Sequence, residues 1–185
     1  MSHLVLDGLY KRFGAQEVLR GVTLEVPAGQ VTVIIGRSGT GKSVLLKHVM
    51  GLMRPDAGQI WIGEQDITKL KDRELQKVRF RFGMVFQNAA LFDSMNVYDN
   101  VAFPLREHSR LSEAKIKEKV EGMLASVGLA GAGPKAVNEL SGGMRKRVGV
   151  ARAMVRDPEF LLYDEPTTGL DPIMTAQIDA LIRDT

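Results

Sequence analysis

Residues 36 to 43 read GRSGTGKS, in which Gly36, Gly41, Lys42 and Ser43 complete the spacing G-x-x-x-x-G-K-[ST]. On average residue usage a chain of this length meets that pattern by chance in about one case in a hundred. Its flanks narrow the reading. VTVII at 31 to 35 is a continuous β-branched run of the kind expected for a strand buried on both faces, and VLLKHVMGLM after the loop reads as a helix. Strand, glycine-rich loop and helix in that order form a cradle for phosphate. The glycines let backbone N–H groups turn inward, Lys42 supplies a cation for the outer phosphates, and the Ser43 hydroxyl can ligate Mg²⁺. The helix points its positive end at the same anion. Arg37, Ser38, Gly39, Thr40 and Val44 belong to the same candidate set. The alternative is a glycine-rich turn with an incidental lysine.

A second cluster follows the apolar run FLLY at 160 to 163, where Asp164 and Glu165 stand side by side. Asp164, at the end of a buried parallel strand, is placed to reach Mg²⁺ directly or through water, and Glu165 to polarise an attacking water. Alone, such a pair reads equally well as an acidic turn; the phosphate cradle upstream favours the metal. With no cysteine there is neither a disulfide framework nor a thiolate metal site, and His3, His48 and His108 are too scattered to form a ligand cluster. Lys and Arg number 25 against 22 Asp and Glu, a net charge of +3 that is far from a nucleic-acid-binding arm. At 185 residues one domain is the expectation. No window approaches a bilayer-spanning helix or a signal peptide, so the chain is expected in the cytoplasm, reaching membranes only through another protein.

Along the chain, HLVLDGLYKRF and VTLEV read as two strands of an antiparallel opening, IWI at 60 to 62 as a strand, and DRELQKV as a short polar helix. GMVFQ at 83 to 87 is another apolar strand, and from about Asn88 the pattern turns helical. Ser112 reads as an N-cap, with Ile116, Val120, Met123, Leu124 and Val127 on one helical face and Gly128 as the stop. LSGGM at 140 to 144 opens a further helix, and TAQIDALI reads as a last amphipathic one. Ser141, Gly142 and Gly143 place a hydroxyl and open N–H groups at a helix start, a second anion site in one chain. Arg145, Lys146 and Arg147 crowd that first turn, where cations oppose the dipole and a nearby anion would relieve them. The alternative is solvated surface charge, taken for at least one or two of the three.

Taken in order, the phosphate loop, LSGGM and the Asp164–Glu165 pair resemble the motif set of ABC ATPases, and the resemblance covers essentially the whole chain. It implies an α/β P-loop NTPase with a RecA-like parallel core (1–87 and 158–185), an N-terminal antiparallel β subdomain and an inserted helical subdomain (88–157). It also implies ATP and Mg²⁺ as cofactors, with Gln87 touching the metal and the attacking water, and Asp171 in the following loop at the nucleotide. Phe13 stands where the family stacks an aromatic on adenine; the alternative is an ordinary half-buried strand aromatic. In the family the LSGGM site faces the γ-phosphate held by a second subunit, so a head-to-tail homodimer with ATP at its interface is implied. So is a transmembrane permease partner, which would hold the chain on the cytoplasmic face of the inner membrane. Met144 departs from the usual glutamine and, with LFDSMNVYDNVAFPLREH, resembles the Mla-type branch serving phospholipid traffic with an Mce-domain partner. Phe92, Met95, Val97 and Val101 fall where a permease's coupling helix would dock, unless they simply pack the helical lobe.

The rival readings are a GTPase, for which no NKxD or DxxG motif is present, and a soluble ABC ATPase acting on nucleic acid or ribosomes, which ordinarily carries two cassettes or a long coiled coil. Nucleic acid is not an expected partner. The family places a γ-phosphate-contacting histidine on a strand beyond Asp171, and no histidine here follows His108. The sequence is therefore expected to be C-terminally truncated, with VTVII left as an unpaired apolar edge, and to hydrolyse ATP poorly alone.

Overall fold

The computed structural model describes residues 3–169 and 172–184, in two compact units, Met1–Arg81 and Phe82–Thr185. In the first, β1 (Leu4–Phe13) and β2 (Gln16–Val26) form an antiparallel hairpin, β3 (Ala57–Ile62) pairs with the other edge of β1, and β4 (Gln65–Asp66) pairs with β3. The sheet order is β2-β1-β3-β4. Alternation decides which face is buried. Leu4 and Leu6 point inward, the register shifts between Leu6 and Leu9, and Leu9 returns to the same core as Ile60 and Ile62. Removing each of these side chains from water contributes about 2 kcal/mol.

Helix α1 (Lys42–Val49) buries Leu45, His48 and Val49. α2 (Asp72–Arg79) buries Leu75 and Val78, and the Glu74 carboxylate accepts from the Lys71 N–H at 3.0 Å to cap its start. The Arg79 guanidinium then donates to the Gly51 carbonyl at 2.8 Å, tying α2 to the turn that ends α1. The phosphate loop is thus carried by a helix anchored at its far end.

The expected strand at 31 to 35 is not formed. VTVII runs as irregular backbone, with Val31 62%, Val33 73% and Ile35 91% exposed. β-branched residues favour a pleated surface but make a strand only where a ladder partner exists, and none of the strands among the described residues pairs with this segment.

In the second unit β5 (Phe82–Val85) and β6 (Phe160–Tyr163) pair in parallel, Phe82 opposite Phe160 with their rings stacked at 5.0 Å. β6 is half-buried along its length, where a buried strand was expected. Around this pair α3 (Val97–His108), α4 (Glu113–Ser126) and α5 (Gly142–Met154) share one core, to which Val101, Val120, Leu124, Val148 and Ala151 contribute. The Ser112 hydroxyl accepts from the Lys115 N–H as the cap of α4, and Gly128 lies at φ 71 just past its end. α6 (Pro172–Asp184) buries Ile178.

Candidate functional site

In the first unit Gly36 to Gly41 form an exposed turn that leads directly into α1. Its geometry favours glycine at several positions, Gly39 at φ 80 among them. A Cβ on Gly36 would lie 2.8 Å from the Thr40 hydroxyl, and Gly41, the N-cap of α1, sits at φ 98, where a Cβ would also press to 2.7 Å from the Val18 side chain. Thr40 braces the loop from within, its hydroxyl donating to the Arg37 carbonyl at 2.8 Å. Lys42 curls back over the turn, its ammonium donating to the carbonyls of Gly36 at 2.9 Å and Arg37 at 3.1 Å. The loop therefore closes around a cation at the start of a helix with no acidic residue in its first turn. That donor set fits a polyphosphate: fixed positive charge, backbone left open at its glycines, and a helix dipole of the right sign. Ser43 occupies the first turn of α1, and Val44 the position after it. Phe13 ends β1 at 46% exposure, with the Lys11 ammonium 5.8 Å from its ring centroid over one face; the exposed part of the ring is available for stacking.

In the second unit the parallel pair delivers Asp164. Its N–H donates to the Val85 carbonyl at 2.9 Å and extends the β5–β6 ladder by one step. Glu165, next in the chain, lies at φ 49, a left-handed conformation that a side chain adopts at a cost of about 1 kcal/mol or more. The Thr168 hydroxyl holds its carboxylate at 3.1 Å and the Thr168 N–H its carbonyl at 3.3 Å. Such strain is retained where the surroundings enforce it. Gln87, two residues past β5, is exposed in a loop containing two more left-handed residues, Ala89 at φ 58 and Ala90 at φ 47. Asp171 lies outside the described residues.

Ser141 caps α5, its hydroxyl accepting from the Met144 N–H at 3.3 Å; Ser141 and Gly142 are exposed and Gly143 is buried. The three cations that follow have separate fates. Arg145 is exposed, as expected of a solvated charge. Lys146 is buried and donates to the carbonyls of Pro166 at 2.6 Å and Thr168 at 2.7 Å, its pKa pushed down by that burial. Arg147 is half-buried and reaches the Val127 carbonyl at 3.4 Å. Lys146 therefore turns away from the helix start that an anion would occupy. Spacing carried the signal: Gly143, Lys146 and Val150 share the buried face of α5.

Of the expected docking residues, Val97 and Val101 are fully buried in the helical core, which assigns them to packing. Phe92 remains 42% exposed, against Phe103 at 5.0 Å and beneath the Arg152 guanidinium at 5.7 Å, and Met95 is half-buried.

A fold with a phosphate loop, a strand-end carboxylate pair and an LSGGM helix start defines a nucleotide-binding cassette. The chain belongs to the ABC transporter family, whose model matches residues 19–168. It is 52% identical over 179 residues to the probable ribonucleotide transport ATP-binding protein mkl of Mycobacterium tuberculosis, covering 97% of this chain and 50% of that protein. It is 45% identical over 174 residues to the intermembrane phospholipid transport system ATP-binding protein MlaF of Haemophilus influenzae, covering 94% of this chain and 66% of the relative. The chain thus spans about half to two thirds of the length of these relatives. An ATP-binding cassette solved as a dimer in a post-hydrolysis state with ADP and phosphate superimposes with a TM-score of 0.86 at 31% identity, covering 97% of this chain and 81% of that one. No helix among the described residues is long and apolar enough to cross a membrane.

Proposed function

We propose that this chain is the ATP-binding subunit of an ABC transporter, hydrolysing ATP in a head-to-tail homodimer to drive a transmembrane permease whose cargo is phospholipid. The observation that carries the reading is the occurrence, in one chain, of two helix starts suited to anions, at Gly41–Ser43 and at Ser141–Gly143, together with a strained carboxylate at Glu165. One chain can offer the first to its own nucleotide and the second to a neighbour's.

In this reading the backbone of Gly36 to Val44 and the Lys42 ammonium bind the phosphates, while Phe13 stacks on the base. Ser43, Gln87 and Asp164 would hold Mg²⁺, which neutralises phosphate charge when bound. Glu165 accepts a hydrogen bond from the attacking water and orients it in line with the γ-phosphate, and the Thr168 hydroxyl fixes that carboxylate. Ser141 and the N–H groups of Gly142 and Gly143 contact the partner subunit's γ-phosphate, so its loss on hydrolysis releases the dimer. By the same resemblance Asp171 would belong to the nucleotide-contacting set. The homologue MlaF, of a phospholipid transport system, supports phospholipid as cargo, and the homologue mkl favours ribonucleotide; an Mce-domain protein as a further partner rests on the resemblance of Met144 and its companion motifs to the Mla-type branch. Stimulation of the assembled transporter's ATPase by phospholipid, and not by ribonucleotides, would separate the two. The permease would hold the chain on the cytoplasmic face of the inner membrane.

The test is Lys42→Ala. Removing the cation that closes the loop should weaken ATP binding by about tenfold or more. Titration with a fluorescent ATP analogue measures it, and wild-type affinity in the variant would remove the assignment of the loop.

A further inference from the structure

We propose that Lys146 is a positioning residue for ATP hydrolysis, fastening the N-terminal half of the LSGGM helix to the turn that carries Glu165. The proposal rests on the reading of Glu165 as the residue that orients water. Lys146 is only 8% exposed, and its ammonium bridges the carbonyls of Pro166 at 2.6 Å and Thr168 at 2.7 Å. Thr168 in turn gives its hydroxyl to the Glu165 carboxylate at 3.1 Å and its N–H to the Glu165 carbonyl at 3.3 Å. Two steps of hydrogen bonding therefore run from α5 to the carboxylate.

The cost of this arrangement argues for its use. A buried ammonium is desolvated, and the hydrogen-bond partners of this one among the described residues are two neutral carbonyls with no carboxylate among them. A methionine would fill the same channel at no electrostatic cost, so packing alone does not account for a lysine. What the ammonium supplies is two donors aimed at one turn, and that turn holds Glu165 at φ 49, a conformation that persists only when its surroundings determine it. Ser141, whose hydroxyl caps α5 through the Met144 N–H, lies five residues before Lys146, about one and a half helical turns. Any group that draws on this helix start therefore pulls, through Lys146, on the turn that orients the carboxylate. The device couples occupation of the LSGGM site to the readiness of Glu165.

The experiment compares Lys146→Met, which keeps the stem and removes the donors, with Lys146→Gln, which restores two N–H donors. Steady-state Mg-ATP turnover, ATP affinity and thermal unfolding are measured on the full chain. For Lys146→Met the expected result is a fall in kcat of about tenfold or more, with ATP affinity within about twofold of wild type and recovery of most of the rate in Lys146→Gln. A Lys146→Met kcat within about twofold of wild type would overturn the proposal, as would kcat and ATP affinity falling together in both variants. Thr168→Val gives an independent reading should Lys146→Met not fold. It keeps the carbonyl that Lys146 holds and removes only the hydroxyl on Glu165; it should lose kcat with unchanged ATP affinity, and an unaltered rate would count against the relay. If the wild-type chain itself binds but does not turn over ATP, the hydrolytic reading falls first; if it turns over ATP and these variants match it, the relay alone falls.

Discussion

The Arg152 guanidinium donates to the carbonyl of Ala89 at 2.7 Å and, through its other terminal nitrogen, to that of Ala90 at 2.8 Å, so α5 grips the loop that follows Gln87. Both alanines are left-handed, at φ 58 and φ 47, and the fork spans the two peptides that depart furthest from regular backbone in that loop. A planar guanidinium matches two adjacent carbonyls in a way that a single ammonium does not. Replacing Arg152 with Met leaves both carbonyls without their charged donor and should destabilise the chain by about 2 kcal/mol. Chemical denaturation measures the loss; a change smaller than about 0.5 kcal/mol would show that the loop holds its shape unaided.

Ala90 bears the strain in the open. It is exposed and its Cβ serves no packing, yet it sits at φ 47. Ala90→Gly should stabilise the fold by about 0.5–1 kcal/mol, since glycine enters the left-handed region without steric cost and the gain exceeds the extra entropy of the unfolded chain. The measurement is again chemical denaturation, and a destabilised variant would contradict it.

His48 gives stability a pH dependence. Burial holds its pKa below the ordinary 6.5, opposed by the hydrogen bond from Nδ1 to the Val44 carbonyl at 2.7 Å. From about one unit above 6.5 the imidazole is neutral both folded and unfolded and contributes nothing to the slope. Below it the unfolded chain takes up a proton that the native state refuses, so stability falls as pH drops toward the native pKa. The Tm should therefore decline from about pH 7.5 to about pH 5.5, and His48→Gln should flatten that decline. Parallel slopes in the two proteins would assign the effect elsewhere.

Local chemistry was legible in the sequence and long-range chemistry was not. The cap at Ser112, the face of Ile116, Val120 and Leu124, the strand at 160 to 163 and the glycine loop each follow from a few neighbouring residues, and each is found. α3 falls in the stretch read only as turning helical from about Asn88, and its own start was not placed; its Asn96 cap, accepting from the Asp99 N–H at 2.7 Å, was the available signal. VTVII had the composition of a buried strand, but pairing is decided by what lies beside a segment. Lys146 and Arg152 look like surface cations in sequence, and their carbonyl partners lie 20 to 63 residues away.

The central claim is that Glu165 orients the water that attacks ATP. It is tested most directly by the Mg-ATP turnover of Glu165→Gln, measured on protein whose ATP occupancy has been confirmed. The amide keeps the shape and its hydrogen bond with Thr168 but is a far weaker acceptor of a proton. The account predicts that ATP remains bound while turnover falls by about 100-fold or more; turnover within about threefold of wild type would contradict it.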